Sequence, residues 1–301
     1  MNTKRKIFLA FILNLLFSIF ELIGGFLTGS VAIASDAIHD FGDAVGIGVS
    51  YCFEKLSDKS PDNKFTYGYA RFSVLGGFLV SVILLVSSGL VIYNAIMRII
   101  TPTKINYGGM IVFAVVGLIV NLVATYFTHG GKSINQKAVN LHMIEDVLGW
   151  LVVLIGAIVM SFTDFLVIDA ILSIAVEIFI VINSIKNLIQ IADIFLIKVP
   201  KSIAMEKIIV DLKDIEGVVD VHHVHVWTID GQNNCATLHA VTNKFDGKIK
   251  TEIKEKLEKY GICHTTVEME TVGENCLGKT CQIKRQAEYC HTHHHHHHHH
   301  H

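Results

Sequence analysis

The stretches His39-Asp40-Phe41-Gly42-Asp43 and His142-Met143-Ile144-Glu145-Asp146 decide how this sequence is read. Each has the form His-x-x-x-Asp. On an α-helix, residues four apart stand one above the other on the same face. Each stretch therefore offers one imidazole nitrogen and one carboxylate oxygen to a single point. Two such helices side by side supply two nitrogens and two oxygens, a donor set that suits tetrahedral Zn²⁺. Both stretches lie inside long apolar segments. A charge at the centre of a membrane helix costs about 2.5–3.5 kcal/mol on insertion scales, so it is rare without a partner or a task. One such pair on a soluble helix reads most simply as a surface ion pair, and a buried one as a hydrogen-bonded tie between helices. Two copies in two separate apolar spans favour a metal site at membrane depth.

The composition supports that setting. Of 301 residues, 51% are hydrophobic and 17% are charged, against about 25% charged in a soluble domain. The first two-thirds of the chain is apolar with sparse charge, and the last hundred residues have a soluble character. A net charge of −2 gives no case for nucleic-acid binding. The run 293–301 reads as a histidine tag and His291 as part of the same scar. Lys4-Arg5-Lys6 leads into a span too long for the apolar region of a cleavable signal peptide.

Six spans of bilayer-crossing length are expected, at 7–28, 32–54, 72–98, 108–128, 138–161 and 165–191. The third is long enough to tilt or to project into water. Frequent glycines suit close helix approach in lipid. With a cytosolic N-terminus, twelve Lys and Arg, from Lys4 to Lys201, fall on the inner side, and only Arg98 and Lys104 fall outside. The positive-inside rule then puts both termini in the cytosol.

Other polar groups lie within the spans: Asn14, Glu21, Asp36, Asn121, Glu145, Asp169 and Glu177. Helix–helix hydrogen bonds or interfacial positions are the plainer expectation for most of them. Asp36 lies three residues before His39 and is retained as a pathway candidate. Glu145, next to Asp146, is expected to point elsewhere on its helix. Arg71 reads first as a snorkelling residue, with an ion pair to Asp193 as a second expectation.

After Pro200 the pattern changes. Helical spacing at 203–214, strand character at 218–229 and 233–241, an amphipathic helix at 245–260 and a strand at 264–270 give the order αββαβ. That order suits a small α+β domain of the ferredoxin-like kind. Alternation slips at His222-His223, because Val219 and Val221 have opposite parity to Val224 and Val226; a bulge or a late strand start accounts for it. His222, His239 and Glu270 fall on different strands, where a metal site is possible. His223, His225 and His264 read more simply as sheet residues. The expected division is therefore a transport-type helical domain at 1–198, an α+β domain at 199–272, a tail at 273–292 carrying Cys276, Cys281 and Cys290, and the tag. No C-x-x-C occurs among the six cysteines, and reduced thiols on a flexible tail are the simpler reading.

These residues resemble the cation diffusion facilitators, and within them the bacterial zinc-efflux type. The resemblance rests on 35–43 (Ser-Asp-Ala-Ile-His-Asp-Phe-Gly-Asp), Tyr67-Gly68-Tyr69-Ala70-Arg71, His142-x-x-x-Asp146 and 222–229 (His-His-Val-His-Val-Trp-Thr-Ile). It covers nearly the whole chain, to about residue 272. It implies a homodimer in the bacterial inner membrane, six spans per subunit, and exchange of Zn²⁺ for protons by alternating access, with Cd²⁺ or Co²⁺ as further substrates. Carried over, the transport site is His39, Asp43, His142 and Asp146, and the cytosolic metal ligands are His222, His239 and Glu270. Some relatives hold a further histidine site between spans two and three. Here only Asp62 survives as a plausible ligand, so that site is expected to be absent or weak.

Two other classes compete. An intramembrane metalloenzyme normally needs a His-Glu-x-x-His helix, which is absent. A membrane-anchored zinc sensor needs no polar pairs at membrane depth. A channel or uniporter is nearer, and only flux separates it from an antiporter. No Walker-type motif for ATP occurs, so the chain reads as a secondary transporter rather than an enzyme.

Overall fold

The computed structural model describes residues 3–28, 31–100, 107–130, 132–162, 167–244 and 246–273, with the side chains of 24–39 among those outside the description. Six long helices come first: α1 (Thr3–Thr28), α2 (Val31–Ser57), α3 (Arg71–Ile100), α4 (Tyr107–Thr128), α5 (Ile134–Phe162) and α6 (Val167–Phe195). Then follow α7 (Met205–Lys213), β1 (Val218–Thr228), β2 (Asn234–Thr242), α8 (Gly247–Lys259) and β3 (Ile262–Thr271). The chain divides into two compact units, one of residues 1–200 with 227–234, the other of 201–226 with 235 onward.

Apolar windows long enough to cross a membrane lie in α1, α3, α4, α5 and α6. The expected span on α2 does not reach that measure among the described residues, where α2 carries Asp40, Asp43, Glu54 and Lys55. The bundle is polar within and apolar without. Asn14, Glu21, Ser81, Asn121 and Glu177 are buried, while Leu16, Val86, Val112 and Ile119 are more than half exposed. A protein surrounded by water distributes these groups the other way. This pattern fits a solvent of lipid, in which polar side chains must find partners inside the bundle.

Helix ends run past the apolar segments read from the sequence. α5 starts at Ile134 rather than near 138, because Asn135 and Gln136 are buried and bonded there. Gln136 Nε2 donates to the Thr128 carbonyl at 2.8 Å, satisfying an end group of α4. A core of Ile7, Ala10, Ile47, Val80, Leu84, Ala124, Ala138, Val139 and Met143 joins α1 to α5. Gly117 permits the close approach of α4 to α5: a Cβ there would stand 2.6 Å from the Trp150 ring. Trp150 in turn meets Phe17 of α1 edge-on, with centroids 5.3 Å apart.

The three strands form one sheet in the order β1-β2-β3. β1 and β2 form a hairpin, with Gly231 at φ +89° in its turn. Asp246 caps α8 by accepting from the Lys248 amide at 2.8 Å. Ile208 and Leu212 of α7 and Ile253 and Leu257 of α8 are fully buried at the helical spacing read from the sequence, and Leu238 of β2 is fully buried as well. The parity slip in β1 is present. Val221 is buried, and so are Val226 and Thr228, which lie on the opposite parity. Between them His223 has φ +49°, so the backbone takes up one residue there, as a bulge does.

Candidate metal centre

Asp43 on α2 and His142 and Asp146 on α5 meet inside the helical unit. His142 is 2% exposed and Asp43 is 7% exposed. His142 Nε2 stands 3.9 Å from Asp43 Oδ2 and 4.0 Å from Asp146 Oδ2. The His-x-x-x-Asp spacing on α5 thus does what helical geometry requires, placing imidazole and carboxylate over one point. Neither ring nitrogen of His142 makes a hydrogen bond. A cation among these atoms would meet one nitrogen and two oxygens. His39 and Asp36 are on α2, and their side chains lie outside the described residues. His39 precedes Asp43 by one helical turn on the same face.

Two groups at this site were not foreseen. Asn14 of α1 donates to Asp146 Oδ2 at 3.4 Å. Its position in an apolar span marked it as a hydrogen-bonding residue, but no feature of the sequence said which carboxylate it meets. Glu145 does not point elsewhere on the helix. Its Oε2 is 3.4 Å from His142 Nδ1, the ring nitrogen opposite the two aspartates. The i,i+3 relation to His142 was the available signal, since three residues back is as near as four.

A separate polar cluster ties α2, α3 and α5 near the α2–α3 connection. Glu54 Oε2 accepts from Ser73 at 2.6 Å, from Asn135 Nδ2 at 3.0 Å and from Ser133 at 3.3 Å. Ser50 donates to Asn135 Oδ1, and Asn135 Nδ2 also reaches the Ser50 carbonyl at 3.0 Å. All five residues are buried. Glu54 closes the apolar reading of its span, which gave no hint that the carboxylate turns inward.

In the second unit His222, His239 and Glu270 offer ligand atoms that all lie within 4.8 Å of one another. Glu270 sits between the two rings, with Oε1 2.5 Å from His239 Nδ1 and Oε2 3.3 Å from His222 Nε2. Glu268, on the same side of β3 two residues earlier, is 3.3 Å from His239 Nε2. Both ring nitrogens of His222 are buried without a hydrogen bond. Two imidazoles and a carboxylate, with one ring so placed, fit a zinc-like cation. The ring of His223 stands beside two members of this group. Its ring centroid is 5.2 Å from that of His222 and 4.9 Å from that of His239. A left-handed backbone at such a residue costs on the order of 1–3 kcal/mol. His225 and His264 are exposed on their strands.

Asp62 forms the centre of the α2–α3 turn. Its Oδ1 accepts from the Lys64 and Phe65 amides, both at 2.9 Å. Its Oδ2 accepts from the Tyr69 hydroxyl at 2.6 Å and from Lys59 Nζ at 3.3 Å. Tyr69 first, then the two amides, hold this carboxyl well below the usual range. Tyr69 and Asp62 together raise Lys59. The pair expected between Arg71 and Asp193 is not made. Asp193 bonds instead to Lys198 at 2.9 Å, because α6 ends at Phe195 and the chain turns Lys198 back onto it. Cys52 and Cys263 are exposed and Cys235 is buried, all as thiols. Cys276, Cys281 and Cys290 lie outside the described residues.

An apolar bundle enclosing a His/Asp cluster, followed by a small domain with a His/Glu cluster, defines a membrane protein that handles metal ions. The chain belongs to the cation efflux, or cation diffusion facilitator, family: the cation efflux transmembrane domain matches residues 7–196, and the cation efflux protein cytoplasmic domain matches 200–272. It is 31% identical to the cadmium, cobalt and zinc/H(+)-K(+) antiporter of Bacillus subtilis, over 96% of each chain. It is 33% identical to the zinc transporter ZitB of Yersinia pseudotuberculosis, over 95% of this chain and 93% of the relative. With the metal cation efflux system protein CzcD of Cupriavidus metallidurans the identity is 28%, over 89% and 87%.

Proposed function

We propose that this chain exports divalent metal from the cytosol, Zn²⁺ foremost and Cd²⁺ or Co²⁺ in addition, in exchange for protons. The observation that carries the reading is the meeting of Asp43 with His142 and Asp146 from a second helix, buried in an apolar bundle. His39, one turn before Asp43, completes a quartet of two nitrogens and two oxygens suited to zinc. In this reading α2 is the sixth crossing, with its polar face turned to the transport path. The protein is a homodimer in the bacterial inner membrane with both termini cytosolic. Residues 1–198 move the metal. Residues 199–272 form a ferredoxin-like αββαβ domain that dimerises and holds cytosolic metal on His222, His239 and Glu270. Relatives named as antiporters and zinc transporters support the assignment.

The mechanism follows from ligand chemistry. Imidazole and carboxylate bind metal only when deprotonated. Metal arriving from the cytosol displaces protons from Asp43, His142 and Asp146. When the bundle turns the site outward, protons compete for the same atoms and the metal leaves. One site shared by two competing cations gives exchange without ATP.

Zinc flux into proteoliposomes under an imposed pH gradient tests this. Wild type moves zinc, reversing the gradient changes the flux, and Asp43→Ala and Asp146→Ala are silent while remaining folded. Flux indifferent to the gradient identifies a uniporter or channel. Wild-type flux in Asp43→Ala removes the site assignment.

A further inference from the structure

We propose that His223 is the fourth ligand of the C-terminal metal site, converting the trio His222, His239 and Glu270 into a closed three-histidine, one-carboxylate site for a zinc-like divalent cation. This rests on the reading of that trio as a metal site. Neighbouring residues of a regular strand point to opposite faces, so His222 and His223 should stand on opposite sides of the sheet. They do not. The left-handed backbone at His223, φ +49°, brings its ring beside both His222 and His239, at 5.2 and 4.9 Å between centroids. Its Nε2 is buried. His225, two residues on and past the bulge, is exposed. The distortion therefore gathers one particular imidazole at the cluster.

Coordination chemistry gives the gathering a purpose. A trio leaves one tetrahedral position to water, whereas zinc sites that serve structure are closed by four protein ligands. The His223 ring, 5.2 and 4.9 Å by centroid from the two imidazoles of the trio, is the neighbouring donor at hand for that position. The left-handed conformation is disfavoured for histidine and easy for glycine. Removing the side chain should then relieve the backbone while it weakens the metal.

That opposition of sign is the test. The full chain, freed of the terminal run 293–301, is prepared with Asp43→Ala and Asp146→Ala so that the membrane site does not load. Zinc affinity is measured by competition with a chromophoric chelator, and ligand geometry by Co²⁺ visible absorption. His223→Gly and His223→Asn, both tolerant of the backbone, should bind zinc at least tenfold more weakly, lose Co²⁺ absorption intensity, and unfold without metal at the same or a higher temperature than the parent. His225→Ala should match the parent. Unchanged zinc affinity and Co²⁺ spectrum in both His223 variants would overturn the ligand role and leave the trio standing. A parent that binds no zinc outside the membrane site overturns the trio and the inference together.

Discussion

Glu145 approaches His142 Nδ1 to 3.4 Å, while the opposite nitrogen of the same ring faces Asp43 and Asp146. The imidazole is thus held between a carboxylate behind and two carboxylates in front. Metal-binding histidines commonly donate their second N–H to a carboxylate, which fixes the tautomer and strengthens the ligand. Glu145 has the position for that part, one helical turn from the ring it steadies.

Glu145→Ala should therefore weaken zinc binding at the membrane site by about 10–100-fold, the usual loss when such a partner is removed. Glu145→Gln keeps an acceptor oxygen and should fall between. Zinc KM in proteoliposomes and affinity in solution check this together. A variant that loses thermal stability but keeps wild-type affinity would show Glu145 to be a packing residue only.

How much of this was legible beforehand depended on the range of the signal. Asp43, His142 and Asp146 were readable because helix period links residues four apart and an apolar span makes each charge conspicuous. The same period put Glu145 within reach of His142, but its adjacency to Asp146 suggested a different face. Asn14 is 132 residues from its partner, and only the packing of α1 on α5 decides that contact. The β1 slip was visible as a change of parity; that it gathers His222 and His223 beside His239 needed the backbone. The Arg71–Asp193 pair failed because a nearer cation, Lys198, follows Asp193 in the chain.

Glu54 is predicted to hold α2, α3 and α5 together rather than to bind metal. Glu54→Ala removes the acceptor shared by Ser73, Ser133 and Asn135, leaving the two serine hydroxyls only each other and Asn135 Nδ2 only the Ser50 carbonyl. Leaving such groups unsatisfied costs about 1–3 kcal/mol or more. Thermal unfolding in detergent should show a clear loss for Ala and a smaller one for Gln. Zinc affinity of the folded fraction should remain near wild type, and a selective loss of affinity would assign Glu54 to the transport path instead.

Gly117 makes a second packing prediction. A valine there collides with the Trp150 ring and with Phe17, which a Cβ alone would meet at 2.6 and 2.8 Å. Overpacking of this kind costs typically about 1–3 kcal/mol. Gly117→Val should lower the unfolding temperature, and Trp150→Leu in the same chain should recover part of the loss. Equal effects with and without Trp150 would place the collision elsewhere.

The α2–α3 turn should depend on Asp62 as a carboxylate, in a known pH window. Its folded pKa lies below the ordinary value of 3.8, so the ionised form is the one the turn stabilises. A depressed carboxyl contributes stability that is present above its unfolded pKa and is lost as pH falls through the folded value. The turn should thus be insensitive to pH from neutral down to about 4 and loosen only in stronger acid. Asp62→Asn keeps an acceptor for the Lys64 and Phe65 amides but gives up the acceptor of Tyr69 and Lys59. Amide hydrogen exchange over 59–70, corrected for intrinsic rates, should be faster in Asp62→Asn at pH 7 and at pH 5 by the same factor. The two proteins should converge only in acid well below pH 4, as the folded wild-type carboxyl takes up its proton. Convergence already at pH 5 would mean that the Tyr69 and Lys59 contacts do not hold Asp62 in solution.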